Sequence, residues 1–118
     1  MVNPRQGDVF WVRFGEAKDS SPAGKRPAII IQNDLLNKSD IRTTVVTLLT
    51  SNTKLSKIPW NVALKKGSGN LPKTSVAVVS QMATVEKGRL LEKIGTISKK
   101  QLEQIIEGCR RVISISVF

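Results

Sequence analysis

The chain is 118 residues long and carries 19 Lys and Arg against 9 Asp and Glu, a net charge of +10, with no histidine and one cysteine. That is length for a single domain, 1–118, and charge for a polyanionic partner, nucleic acid first. The missing histidine removes the usual general base at neutral pH, the commonest transition-metal ligand and any Ser–His or Cys–His nucleophile pair.

In chain order, Gly7-Asp8 opens a strand over Val9 to Phe14, with Phe10, Val12 and Phe14 on one face and Val9, Trp11 and Arg13 on the other. Residues 15–26 hold turn-formers and no apolar period, a connection longer than an ordinary hairpin loop and so a functional suspect. It ends in Gly24-Lys25-Arg26-Pro27. Pro27 fixes its own φ and pushes Arg26 towards extended backbone at the mouth of a second strand, Pro27 to Gln32. A planar, permanently charged fork on a rigid base suits phosphate; the alternative is a solvated Lys–Arg pair at a strand end. Asn33 to Lys38 reads as a turn or one helical turn, and Thr43 to Thr50 as a third strand closed by the polar turn Thr50-Ser51-Asn52-Thr53. Trp60 to Leu64 is a fourth strand, followed by a Gly/Ser/Asn/Pro loop over Lys65 to Lys73. Ser75 to Val79 is a fifth, and Met82 to Val85 and Leu90 to Ile97 are two further short strands.

The period then changes. Leu102, Ile105, Ile106, Cys109, Val112 and Ile113 recur at helical spacing behind a capping box of Ser98 and Gln101. The tail from Ile113 to Val117 alternates, so the helix frays or turns extended there. These elements describe a mainly β (α+β) domain, a small, partly open barrel with the C-terminal helix as its cover.

No run approaches the roughly 18 apolar residues of a membrane span, and Met1-Val2-Asn3-Pro4-Arg5 does not read as a signal peptide. The helix carries Glu as well as Lys and Arg on its polar side, unlike a membrane-surface helix. A lone cysteine, Cys109, suits a reducing compartment, so the expected location is the cytoplasm with no membrane partner. Scattered carboxylates and one thiol offer no metal-ligand spacing, and no metal or other cofactor is expected. Any catalysis must then come from Arg, Lys, Ser, Thr, Gln and backbone groups. Lys54, Lys57, Lys65 and Lys66 flank Thr50 in sequence, as phosphate contacts or as a solvated face. Trp11 and Trp60 read as core or dimer-interface aromatics, or as platforms on which single-stranded bases stack.

Four marks occur in order: Gly7-Asp8-Val9 followed by Trp11-Val12-x-Phe14, a Ser-containing loop ending Gly24-x-Arg26-Pro27, a strand ending Leu48-Leu49-Thr50-Ser51, and Val79-Ser80-Gln81 with Thr84-Val85. In that order and at those separations the chain resembles the MazF/PemK family of toxin endoribonucleases over essentially its whole length. The resemblance implies a small SH3-like barrel of the CcdB/PemK-like fold. It also implies a homodimer that cuts single-stranded RNA (mRNA) without a metal and is neutralised by an acidic antitoxin protein. Position by position, it implies catalytic roles for Arg26 and Thr50, help from Ser20 at the scissile phosphate, and a substrate-reading or positioning role for Gln81. Lys25, Asn33, Ser51, Lys54 and Lys57 complete the expected RNA-binding set. The family loop often reads Gly-Ser-Glu where this chain has Asp19-Ser20-Ser21-Pro22, which leaves Asp19 to stand in for the missing glutamate.

The chemistry of the residues is compatible with that implication. RNA carries its own nucleophile, the 2′-OH beside the scissile phosphorus, so the protein mainly has to impose in-line geometry, worth ~7–11 kcal/mol. A guanidinium keeps its proton, so Arg26 fits charge stabilisation or proton donation better than general-base work, and the base is left unassigned. Two other functions share parts of the pattern. One is a gyrase-inhibiting toxin of the CcdB type, which has no need of the Gly-x-Arg-Pro and Thr pair. The other is a non-catalytic nucleic-acid-binding barrel.

Overall fold

A computed structural model describes residues 2–15 and 24–117. Gly7 starts the architecture: its φ of 95° is open to glycine and costly for other residues. In that conformation its N–H reaches Ile30 O at 2.8 Å while its carbonyl accepts from Ile97 N at 3.0 Å. The first strand, β1, runs Asp8–Arg13, followed by β2 at Lys25–Ile30, β3 at Thr43–Thr50, β4 at Val62–Leu64, β5 at Ser75–Glu86 and β6 at Leu90–Thr96. A short helix, α1, spans Asp34–Asn37, and a longer one, α2, spans Lys99–Val112. The strands form one six-stranded sheet in the order β4-β5-β3-β2-β1-β6, with every described pairing antiparallel.

Strand alternation divides the core in two. Val9, Ile29, Leu49, Ala77 and Val79 face α2 and meet its Ile105 and Cys109. Phe10, Val12, Ala28, Ile30, Val46, Val85 and Leu90 pack together as a second cluster on the other face of the curled sheet. The helix begins with the predicted box: Ser98 Oγ accepts from Gln101 N at 3.2 Å and Gln101 Oε1 from Ser98 N at 3.1 Å. Gly108 lets α2 sit close, since a Cβ there would lie 2.7 Å from Trp60 O. Neither helix is long and apolar enough to cross a membrane.

Several boundaries differ from the sequence reading. β2 begins at Lys25, so Arg26 lies inside a strand, opposite Val12, and not at its mouth. β1 stops at Arg13, leaving Phe14 exposed although alternation had grouped it with Phe10 and Val12, which are buried. The fourth strand shrinks to Val62–Leu64, because Trp60 takes a φ of 68° that no strand accommodates. The segments read as separate strands around Ser80-Gln81 are one, β5, carrying a bulge. Thr47 pairs with Met82 whereas the next residue, Leu48, pairs with Val78, so Val79, Ser80 and Gln81 have no partner in β3. The Thr47 hydroxyl donates to Val78 O at 2.7 Å at that step. The alternating tail forms no strand, and Ile113, Ile115 and Val117 are exposed.

Candidate active site

The β2–β3 ladder runs Ile30↔Val46, Ile29↔Thr47, Ala28↔Leu48 and ends there. Both strands continue: β2 stays paired to β1 as far as Lys25, and β3 stays paired to β5 as far as Thr50. The next residue of β2 is Pro27, which has no N–H to offer. Carried two residues on, the same register sets Arg26 opposite Thr50 across this unladdered gap. Both line one cleft of about 270 Å3, with Ser51 and Lys73 as further polar walls and Trp11, Leu49 and Pro72 as apolar ones.

The electrostatics of the cleft are one-sided. Arg26 and Lys73 line it and no carboxylate does, among the described residues. Lys25 Nζ stands 4.9 Å from the Trp11 ring centroid, adding a third cation against the cleft wall. Arg26 is exposed and its side chain makes no hydrogen bond or ion pair to a described residue, so the fork is available. Thr50 Oγ1 accepts from Asn52 N at 3.1 Å, which fixes the hydroxyl and leaves its proton free to donate. An anion entering here meets cationic side chains with free donors and a hydroxyl whose oxygen is already held.

Over residues 5–113 the chain matches the PemK-like, MazF-like toxin family of type II toxin–antitoxin systems. It belongs to that family. A relative named endoribonuclease MazF2, from Mycobacterium bovis, is 32% identical over 110 residues, covering 93% of this chain and 96% of that protein. Another, named endoribonuclease MazF, from Staphylococcus saprophyticus, is 36% identical over 101 residues, 86% of this chain and 83% of the relative. The fold is shared with MazF in a MazE–MazF structure from Deinococcus radiodurans, at a TM-score of 0.75 and 18% identity over 98% of this chain and 100% of that one. A mycobacterial endoribonuclease solved with its cognate antitoxin gives a TM-score of 0.74 at 19% identity, covering 96% and 95%.

The residues this MazF-like sequence nominated fall into four groups. Arg26, Thr50 and Ser51 meet in the cleft, with Lys25 beside it. Lys54 and Lys57 are exposed on the 3-10 turn Thr53–Lys57 that follows Ser51, and Gln81 is exposed within the β5 bulge, outside the cleft lining. Asn33 is at the far end of β2 from Arg26, where its Oδ1 accepts from Leu35 N at 2.8 Å and caps α1. Ser20 and Asp19 lie outside the described residues. The neck of their connection is fixed, however: Phe14 N donates to Gly24 O at 2.8 Å, and Arg89 Nη1 donates to Arg13 O and Gly15 O. The connection therefore leaves and re-enters the sheet within two residues of Arg26.

Sequence reasoning missed Lys73, which sits in a loop without periodicity and carried no signal beyond its charge. Cys109 faces the α2 core, where burial pushes its thiol above the ordinary range, so it stays protonated and is no nucleophile. No three His, Cys, Asp or Glu side chains converge as a metal site among the described residues.

Proposed function

We propose that this chain is a sequence-selective endoribonuclease toxin of a toxin–antitoxin pair, acting on single-stranded mRNA as one domain, 1–118. The observation that carries the reading is the Arg26–Thr50 juxtaposition in a cleft of a MazF-like chain whose charged walls, among the described residues, are all cationic. In this mechanism the substrate's 2′-oxygen attacks the adjacent phosphorus, the P–O5′ bond breaks, the leaving 5′-oxygen takes up a proton from solvent water, and a 2′,3′-cyclic phosphate and a 5′-OH remain. The Arg26 guanidinium and the Thr50 hydroxyl donate to the non-bridging oxygens as charge gathers on them, each donor worth ~3–4 kcal/mol. Lys25, Lys73 and Ser51 hold flanking phosphates, and the proton of the 2′-OH passes to a base that the described residues do not supply. The same reading includes a homodimer, a cytoplasmic location and an acidic antitoxin that covers the basic face. Relatives named endoribonucleases, and a relative solved with its antitoxin, support it. A gyrase poison of the CcdB type would have no need of Arg26 and Thr50 opposed across a gap, and cleavage of RNA by the pure protein separates the reading from a passive binding barrel.

End-group analysis of one long RNA, with and without a chelator, tests the chemical step. The expected products carry 5′-OH ends and form equally in both arms. Making the nucleotide 5′ to the cut 2′-deoxy should abolish cleavage while binding barely changes, with a salt slope near −4 for about six phosphate contacts. Products with 5′-phosphates, or activity lost to the chelator, would make water the nucleophile and remove this site.

A further inference from the structure

Among the described residues outside glycine, only Trp60 and Asn70 have a positive φ. Asparagine tolerates that region; a bulky aromatic does not, and it stays there only when its surroundings hold it. Asn61 does the holding: its Nδ2 donates to Leu55 O at 3.0 Å, its Oδ1 accepts from Val79 N at 3.1 Å, and its N–H reaches Ile58 O at 3.2 Å. Gly108 of α2 closes against the Trp60 carbonyl from below. All this fixes the backbone, yet the residue is 48% exposed, beside Ile58 at 50%. Core packing does not explain a tryptophan here, and backbone preference argues against one.

The surroundings point to a ligand. Trp60 ends the connection that leaves the cleft at Thr50-Ser51, and exposed Lys54 and Lys57 lie on that same connection. The bond from Val79 N to Asn61 also ties it to the bulge that presents Gln81. We propose that Trp60 is a stacking platform for an unpaired base of the RNA beyond the cut, with Lys54 and Lys57 on the neighbouring phosphates, and that it sets affinity and base preference at that position. Stacking on a fixed aromatic beside cations is how single strands are gripped, and fixing the backbone in advance lowers the ordering cost. The inference rests on the RNA-cleaving reading above.

The test uses the full chain and an oligoribonucleotide spanning a mapped cut site, made uncleavable by a 2′-deoxy nucleotide at the cut. Trp60→Gly should weaken binding about tenfold or more, and Trp60→Phe should keep most of the affinity. Glycine relieves the backbone angle but gives up the packing of the half-buried ring, so affinity is read below the variant's own melting transition, with its fold checked by circular dichroism, and lost affinity is then not lost folding. Unchanged affinity in Trp60→Gly, with a wild type that binds and cuts RNA, overturns this inference alone. A wild type that binds no RNA overturns the functional reading with it. Affinity lost together with dissociation of a dimer in sedimentation makes Trp60 a subunit contact, and loss confined to antitoxin binding makes it a protein-docking residue; either result overturns the proposal.

Discussion

Where β2 and β3 part beyond Ala28 and Leu48, Arg26 is exposed with its donors unspent and Thr50 keeps a free proton. At the other end of the same two strands, similar residue types are buried and bonded to one another. Gln32 Nε2 donates to Asn37 Oδ1 at 2.9 Å, Thr44 Oγ1 donates to the same atom at 2.9 Å, and Asn37 Nδ2 returns a bond to Gln32 O at 2.9 Å. Even a lysine is consumed there: Lys87, 7% exposed, gives its ammonium to Asn37 O at 2.9 Å. Polar side chains whose capacity is used up hold the barrel together, and those left with spare capacity beside a gap are free for a ligand. No buried side-chain nitrogen or oxygen among the described residues lacks a partner, so the spare capacity is all at the surface.

That contrast breaks most visibly at Arg26. Arg26→Ala should lower cleavage by ~10²–10³-fold, the worth of one preorganised donor to a developing oxyanion, while thermal melting stays within a degree or two of wild type. Wild-type rates in the variant, or a loss accounted for by unfolding, would put Arg26 with the structural residues.

The mirror experiment removes the hub of the other end. Asn37→Ala takes the partner from the buried Thr44 hydroxyl and the Gln32 carbonyl, leaves Gln32 Nε2 only its bond to Thr43 O at 3.1 Å, and should cost ~2 kcal/mol of stability, read as a lower urea midpoint at unchanged slope. Cleavage per folded molecule should not change. A fall in that rate with stability intact would mean the two ends are coupled.

Much of this was legible in the chain. The Ser98–Gln101 box and the apolar spacing from Leu102 to Val112 placed α2, because caps and a helical period are local signals. Thr43–Thr50 was found to the residue, since β-branched runs with a polar stop leave little freedom. Arg26 and Thr50 were named, but their apposition depends on where the β2–β3 ladder stops, and pairing register is not a local property. The bulge at Val79 to Gln81 looked like a break, because two side chains facing solvent interrupt the alternation whether or not the strand continues. The Trp60 conformation left no trace in the sequence: it is imposed by Asn61 and Gly108, one next door and one distant.

The smallest expected effect sharpens the structural end. Burial alone would raise the Asp34 carboxyl, but the N–H of Gln6 at 2.7 Å, the Asn37 amide at 3.1 Å and the charges of Lys38 and Arg5 outweigh it and hold the carboxyl below its usual range. A carboxylate depressed on folding contributes stability above its unfolded value, near ~3.9, and that contribution is lost as pH falls through the lower folded value. Asp34→Asn should therefore be less stable than wild type at pH 7, and the gap between their urea midpoints should close in the acid range below about pH 4. Cleavage at neutral pH should be the same in both, since Asp34 tethers the N-terminal segment to α1 and takes no part in the cleft. A gap that persists undiminished into strong acid would show that Asp34 acts there by shape and not by charge, leaving the hydrogen bonds around Asn37 to hold this end of the sheet without its help.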